Sequence, residues 1–134
     1  MTNVTRTSGR VIRGGRAEGE ALVSTEPIGF LGGIDPETGI VVEANHPLHG
    51  QSVANRVLVF PTGKGSTVGS YTILRLARNG VAPVAMINAE SEAIVAVGAL
   101  IADIPMVDQV AITLIQNGDW VLVDDSNIEI RPAA

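Results

Sequence analysis

Hydrophobic residues change their spacing several times along the chain, and each change predicts a new element of secondary structure. Alternating apolar and polar residues within 9–23 favour two short strands around the Gly14-Gly15 turn. After a further turn, the apolar residues 40–42 predict an extended strand. The unbroken apolar run at 56–60 is typical of a strand buried on both faces. Two alternating runs on either side of 124–127 predict a hairpin.

Two helices are predicted between these strands. Apolar residues recur at helical spacing from Val68 to Ala77 and Asn79-Gly80 supplies a stop, so the first helix covers about 67–79. A capping residue and acidic residues near 88–92 predict a second helix at roughly 90–102. The small Ala and Gly side chains of this second helix allow close packing. Short strands are predicted in "APVAMIN" and "PMV".

The order of these elements predicts the fold class. Strands come first, then strand, helix, strand, helix and strand in alternation, then strands again, which is the order of an α/β unit with extra antiparallel strands. The length of 134 residues fits one domain. We expect a single domain over 1–134, with short flexible ends at about 1–7 and 132–134.

Composition and charge exclude several classes of protein. Hydrophobic residues make up 46% of the chain and aromatic residues 3%, which is typical of a globular protein with an aliphatic core. The net charge is −5 and the basic residues are scattered, so no nucleic-acid partner is expected. The longest apolar run, at 93–102, is about half the ~20 residues of a membrane-spanning helix. No signal segment opens the chain, and we expect a cytoplasmic protein without a membrane partner.

The chain contains no cysteine. This excludes disulfides, thiolate nucleophiles and thiolate zinc sites formed by this chain alone. It also means that any iron–sulfur cluster must be held by another chain.

The glycine-rich segment "PTGKGSTVG" joins the predicted strand at 56–60 to the first predicted helix. A phosphate-binding P-loop is excluded because Lys64 is followed by Gly65, and the glycine spacing does not fit a dinucleotide fingerprint. Backbone N–H groups at a helix start favour negative charge, so an anion is expected near Ser66 and Thr67. Either the Ser66 oxygen is itself that anion and acts as a base, or Ser66 or Thr67 only caps the helix.

Other polar residues carry weaker signals. His46 and His49 form either a metal pair that needs a third ligand or two ordinary loop histidines. Arg13 and Arg16 either grip a carboxylate or phosphate or are solvated surface residues. The aspartates, which border predicted turns and strand ends, are assigned no chemistry.

Four motifs, in order along about 9–108, resemble the small subunit of the aconitase X group, a swivel-domain family. They are "GRAEGEALVSTEPIGFLGGIDPETG", "HPLHGQSV", "VLVFPTGKGSTVGSY" and "NAESEAIVAVGALIADIPMVD". The resemblance implies a single swivelling β/β/α domain, with mixed strands and two main helices, that closes over a larger subunit. It also implies a heterodimeric hydro-lyase whose cysteine-bearing large subunit holds an iron–sulfur cluster of the 4Fe-4S type.

By the same resemblance, Ser66 matches the first serine of the G-S-S-R turn of aconitase-type enzymes, which acts as the proton acceptor. This chain has Thr67 and Val68 after it, so the arginine of that turn has no counterpart. Binding of the small anionic substrate must then come from other residues of this chain or from the partner. The residues expected to bind it are Lys64, Gly65, Thr67 and Arg16.

Within the group the resemblance leaves two dehydratase activities open. One converts (R)-5-phosphomevalonate to trans-anhydromevalonate 5-phosphate in the mevalonate pathway of isoprenoid biosynthesis, and the other acts on cis-3-hydroxy-L-proline. The separate small chain, the "GKGSTVGSY" form of the turn and the "IPMVD" ending favour the first. A non-catalytic regulatory module that binds an anion, and a structural subunit whose serine only caps, remain alternatives.

Overall fold

The structure, a computed structural model, describes residues 3–65 and 67–133. In chain order the described strands are β1 (Thr5–Ser8), β2 (Arg10–Arg13), β3 (Arg16–Val23), β4 (Val57–Phe60), β5 (Ala85–Asn88), β6 (Met106–Asp108), β7 (Trp120–Asp124) and β8 (Asn127–Arg131). The helices are α1 (Gly69–Arg78), between β4 and β5, and α2 (Ala93–Ile101), between β5 and β6, with a short 3₁₀ helix at Ile112–Leu114. These elements confirm the expected mixed strands with two main helices in the described part of the chain.

The eight described strands are hydrogen-bonded in the order β1-β8-β7-β3-β4-β5-β6-β2. Strands β3 to β6 pair in parallel, and the other pairs are antiparallel. The two ends of this order, β1 and β2, are joined by Gly9 alone, so the sheet must curve until its ends come together. A Cβ at Gly9 would collide with the backbone oxygen of Asp108, which explains why this connection needs glycine.

The parallel strands alternate between two hydrophobic cores. On β4, Val57 and Val59 face the core shared with the antiparallel strands, whereas Leu58 and Phe60 face the core shared with the helices. All four of these side chains are fully buried, as the unbroken apolar run predicts. The layers are therefore antiparallel strands, parallel strands and helices, in agreement with the β/β/α expectation.

The two helices pack closely against each other. A Cβ at Gly98 of α2 would lie 2.5 Å from Cδ1 and 3.1 Å from Cβ of Ile73 on α1, both closer than side chains normally approach. The absence of a side chain at Gly98 therefore lets α1 and α2 approach, as the Ala/Gly composition of the second helix predicts. The helices begin later than expected, at Gly69 and Ala93.

The structure differs from the sequence prediction in two other places. Residues 5–7, which the sequence assigns to a flexible end, belong to β1 and pair with Ile128–Ile130 of β8. Because β1 is largely exposed, its residues are mostly polar, and the sequence there lacks the hydrophobic pattern that would predict a strand. The extended strand predicted at 40–42 is wrong, since Ile40 and Val41 form only isolated bridges within a long loop.

Candidate functional site

The glycine-rich loop at 61–68 leaves the carboxyl end of β4 and leads into α1. Phe60, which ends β4, is fully buried and anchors the start of the loop. The backbone N–H of Ile28 donates to the oxygen of Thr62 at 3.2 Å, and the N–H of Lys64 donates to the oxygen of Ile28 at 2.9 Å. The segment that follows β3 therefore holds the first half of the loop.

Gly63 lies where this loop passes the start of α2. A Cβ at Gly63 would collide with Cγ2 of Val95 and would lie 3.2 Å from Oε2 of Glu92. Glu92 is the N-cap of α2, and its carboxylate accepts hydrogen bonds from the N–H groups of Ile94 at 2.9 Å and Val95 at 3.3 Å. The start of α2 thus fixes the path of the loop.

The buried side chain of Asp108 holds the segment ahead of α2. Its Oδ1 and Oδ2 accept hydrogen bonds from Nε and Nη2 of Arg10 at 2.9 and 2.7 Å. Oδ2 also accepts from Oγ of Ser91 at 2.7 Å and from its N–H at 3.2 Å. The hydrogen bond from Arg10 lowers the pKa of Asp108, the bonds from Ser91 lower it further, and burial opposes them. Asp108 therefore stays ionised and ties β2 and the start of α2 to β6.

Lys64 is the cation of the loop. Its side chain is half-exposed and its Nζ donates to Oε2 of Glu43 at 3.1 Å. Its Cγ and Cε lie 3.5 and 3.7 Å from the position of a Cβ on Gly29, so the aliphatic stem runs along that glycine. The sequence gives no signal for Glu43, because it lies in a separate loop, 21 residues from Lys64, and no short spacing links the two.

Two other predicted site residues, Gly65 and Thr67, follow Lys64 in the loop. Gly65 has φ of +105°, in the left-handed region that favours glycine, and both Gly65 and Thr67 are exposed. Ser66, the predicted proton acceptor, lies outside the described residues. Val68 is the N-cap of α1, and its side chain makes no cap hydrogen bond. The structure thus brings Lys64, Gly65 and Thr67 together on an exposed loop ahead of α1.

Arg16 is not brought to this loop. It begins β3, whose other end, Val23, pairs with Val59 at the carboxyl end of β4. Val23 is seven positions further along the strand than Arg16, a distance of roughly 23 Å. The guanidinium of Arg16 lies 3.6 Å from the carboxylate of Asp124, and both side chains are exposed. The site formed by the loop therefore does not include Arg16.

The two histidines are engaged with backbone groups. His46 is buried; its Nε2 lies 3.1 Å from the oxygen of Pro27, and its Nδ1 accepts from the N–H of Leu48 at 3.1 Å. Nδ1 of His49 lies 3.0 Å from the backbone oxygen of Glu43. This pattern supports the interpretation of ordinary loop histidines and shows that they order the loop that carries Glu43.

Three large apolar side chains are exposed around the start of α1. Leu31, Val68 and Tyr71 have exposed fractions of 51%, 46% and 62%. The backbone nitrogen of Leu31 lies 4.0 Å from the position of a Cβ on Gly69, which places the Leu31 segment against the first turn of α1. Exposed apolar side chains thus lie next to the loop, at the first turn of α1.

Comparison with known proteins identifies the family to which this fold and loop belong. The family model described as the aconitase X swivel domain matches residues 6–131. The chain belongs to this family. The swivel-domain fold expected from the four sequence motifs is therefore confirmed.

Some proteins similar to this aconitase X swivel domain carry a functional name, and others have a solved structure. Proteins named phosphomevalonate dehydratase small subunit are 55% identical over 92% of each chain in Thermococcus kodakarensis, and 58% identical over 87% of this chain and 90% of the relative in Methanocella arvoryzae. The crystal structure of Thermococcus kodakaraensis aconitase X in its holo form superposes with a TM-score of 0.92 at 54% identity, covering 94% of this chain and 98% of that chain. A solution NMR structure of a UPF0107 protein gives a TM-score of 0.85 at 52% identity, with the same coverage of both chains.

The side chains of this swivel domain do not fit an iron–sulfur cluster. The chain has no cysteine, and within 3–65 and 67–133 no group of three or more His, Asp or Glu side chains is placed to hold a metal ion. Such a cluster would need ligands from another chain. Neither α1 nor α2, the α-helices in the described part, is long and apolar enough to cross a lipid bilayer.

Proposed function

We propose that this chain is the small subunit of a two-chain phosphomevalonate dehydratase, which removes water from (R)-5-phosphomevalonate to give trans-anhydromevalonate 5-phosphate. The observation that carries this proposal is the 55% identity, over 92% of both chains, to a protein named as that subunit. An exposed loop with a cation, at the carboxyl end of a parallel strand, supports it, since ligands in α/β folds bind at such ends. A cytoplasmic location and a place in isoprenoid biosynthesis are part of the same proposal.

The reaction needs a base beside the substrate carboxylate. The base takes a proton from the carbon next to the carboxylate, the electron pair of that C–H bond forms the double bond, and the hydroxyl leaves the neighbouring carbon. The proton and the departing hydroxide together make up the water that is lost. We assign the base to the oxygen of Ser66, in its ionised form.

The described residues next to Ser66 in the chain support this assignment. Gly65 and Thr67, its two neighbours, are exposed. The amino end of α1, which follows in the chain, and the ammonium of Lys64 are both features that favour negative charge. The same features favour binding of the anionic substrate by Lys64, Gly65 and Thr67.

The remaining parts of the site belong to the proposed large subunit. Its cysteines would hold the iron–sulfur cluster, which supplies Lewis-acid chemistry for the hydroxyl that leaves. The exposed side chains of Leu31, Val68 and Tyr71 flank the loop and provide apolar surface for that subunit to cover. The proposed enzyme is thus active only as a heterodimer.

The first experiment tests the substrate and the partner. This chain is co-expressed with a cysteine-bearing large subunit of the aconitase X group, and the purified complex is assayed side by side on phosphomevalonate and cis-3-hydroxy-L-proline. We expect a brown complex that turns over phosphomevalonate and leaves hydroxyproline unchanged. Turnover of hydroxyproline alone would overturn the substrate assignment, and a colourless chain that binds phosphate metabolites without a partner would favour a regulatory module.

The second experiment tests the base. In the complex, Ser66→Ala should leave assembly intact and lower turnover by about 10²- to 10⁴-fold, the usual contribution of a general base. The matched control is Ser8→Ala, because Ser8 is an exposed serine on β1. Near-normal turnover of the Ser66 variant, with only the ~1 kcal/mol loss of stability expected of a missing cap, would show that the serine has a structural role.

A further inference from the structure

The ammonium of Lys64 already has an anionic partner within this chain. Its Nζ donates to Oε2 of Glu43 at 3.1 Å, and the side chains of Lys64 and Glu43 are 50% and 32% exposed. Lys64 is also the residue that the proposed function assigns to binding an anionic group of the substrate. The carboxylate of Glu43 and an anionic group of the substrate would therefore compete for the same ammonium.

Both members of this pair are held by the segment that follows β3. The N–H of Lys64 donates to the oxygen of Ile28, and its aliphatic stem runs along Gly29. The N–H of Glu43 donates to the oxygen of Gly33 at 3.3 Å, and Oε1 of Glu43 lies 3.6 Å from the position of a Cβ on Gly33. The pair is therefore placed by the fold and is not a chance encounter of two long side chains.

We propose that Glu43 sets the anion affinity of the site by occupying the ammonium of Lys64 until an anionic group of the substrate displaces it. This inference rests on the proposed function, in which Lys64 binds substrate. Glu43 acts through Lys64 and is a positioning residue.

The strength of the Lys64–Glu43 ion pair is suited to displacement of Glu43 by an anion of the substrate. A partly exposed ion pair is weak enough for an incoming anion to displace and strong enough to change the affinity for that anion measurably. The pair also discriminates by charge, because an anion must attract Lys64 more strongly than a single carboxylate does. A phosphate group, with a charge of about −1.5 to −2 near neutral pH, meets this requirement better than a carboxylate.

The test compares wild type with Glu43→Gln in the complex with the large subunit. Glutamine keeps an oxygen that accepts a hydrogen bond from Lys64 but removes the competing charge. We expect KM for phosphomevalonate to fall about two- to fivefold, the factor that an exposed ion pair is worth, while kcat changes by less than twofold. The difference in KM should shrink at high ionic strength, because the competition is electrostatic.

Lys64→Met is the control that tests whether Glu43 acts through Lys64. On this background, adding Glu43→Gln should leave KM unchanged, because the cation through which Glu43 acts is missing. A KM that is unchanged or raised in Glu43→Gln alone, or a fall that persists on the Lys64→Met background, would overturn the proposal. A fall in kcat with an unchanged KM would also overturn it, since it would indicate a structural effect.

Two competing ions identify which anionic group displaces Glu43. A lower inhibition constant for inorganic phosphate in Glu43→Gln assigns Lys64 to the phosphate of the substrate, and a lower one for acetate assigns it to the carboxylate. Unchanged constants for both ions contradict the proposal. Direct titration of the complex with inorganic phosphate and acetate gives the same comparison without catalysis. A failure of the proposed function, seen as full activity of Ser66→Ala or no activity on phosphomevalonate, is thus distinguishable from a failure of this inference.

Discussion

The connections from β4 into α1 and from β5 into α2 both lead from a parallel strand into a helix. They differ in how far their residues are exposed and in how they are held by hydrogen bonds. At the start of α2, a carboxylate of the chain caps the helix and a buried aspartate holds the preceding serine. At the start of α1, Gly65 and Thr67 are exposed, and the cation of the loop pairs with Glu43 at the surface.

This difference shows how one fold can hold one strand-to-helix connection firmly and leave the other accessible for the proposed site. At the start of α2, Ser91 and the N–H groups of Ile94 and Val95 are hydrogen-bonded to carboxylates of the chain, so this segment is suited to hold the neighbouring loop in place. The start of α1 places a cation and two exposed loop residues at the surface, which suits them to the proposed contacts with a substrate and a partner. The contact of Gly63 with Glu92 and Val95 joins the two connections, so the buried one positions the exposed one.

Loss of the buried carboxylate should have the largest effect on stability. Asp108→Ala removes four hydrogen bonds to an ionised, buried group, and we expect the free energy of unfolding to fall by about 3 kcal/mol. Turnover per folded complex should also fall, because Asp108 holds Ser91 at the start of α2, which positions the loop. Urea unfolding and an activity assay measure the two effects. A variant as stable as wild type would mean that this network does not hold the start of α2.

A methyl group at Gly63, where the two connections touch, should lower both the stability of the chain and the turnover of the complex. Gly63→Ala places a Cβ against Val95 and Glu92, and we expect a loss of about 2 kcal/mol from overpacking. Because the loop must shift to relieve this contact, turnover of the complex should also fall, by about tenfold.

The matched control for this substitution is Gly98→Ala, which creates a similar contact with Ile73 between α1 and α2. It should cost about as much stability and leave turnover within about twofold, since it is away from the loop. Equal losses of turnover in the two variants would contradict the idea that the start of α2 positions the loop.

Removal of the α2 cap should have a smaller effect. Glu92→Ala deletes the side-chain oxygens that accept from the N–H groups of Ile94 and Val95, and we expect a loss of about 1 kcal/mol. Glu92→Gln keeps an accepting oxygen and should recover part of that loss. Thermal unfolding of wild type, Glu92→Ala and Glu92→Gln measures their order of stability. A glutamine variant less stable than the alanine variant would be inconsistent with capping.

The smallest effect is confined to acid pH. Since the pKa of Asp108 is lowered by Arg10 and Ser91, its ionised form favours folding at pH values above the unfolded-state pKa of about 4. This contribution is lost as the pH falls through the lowered pKa of the folded chain. The gap in stability between wild type and Asp108→Asn should therefore close under acid conditions. Urea unfolding over a pH series tests this, and a constant gap at every pH would rule out the linkage.

Local patterns in the sequence predicted most of the elements near the site. The apolar run at 56–60 identified the buried strand β4, and alternation around 124–127 identified the hairpin, which the pairing of Asp124 with Asn127 confirms. The loop between β4 and α1 was also identified, because its glycines interrupt two apolar patterns. Such signals depend on residues close in the chain, and for that reason a single sequence contains them.

The contacts that shape the site were not predictable in this way. Arg10 and Asp108 are 98 residues apart, and Lys64 and Glu43 are 21 residues apart in different loops. Arg16 has the chemistry of an anion-binding residue, yet it lies at the far end of β3. Residue type reports what a side chain can do, but the topology of the sheet decides which side chains meet.

By itself, the sequence determined the type and order of most elements, the lack of thiolate ligands and the exposed cation-bearing loop. Only the tertiary structure decided that the two ends of the strand order meet at Gly9, that Asp108 anchors the start of α2, and that Glu43 engages Lys64. The physical reason is that periodicity and turn chemistry act over a few residues, whereas closure of a sheet brings together residues from opposite ends of the chain.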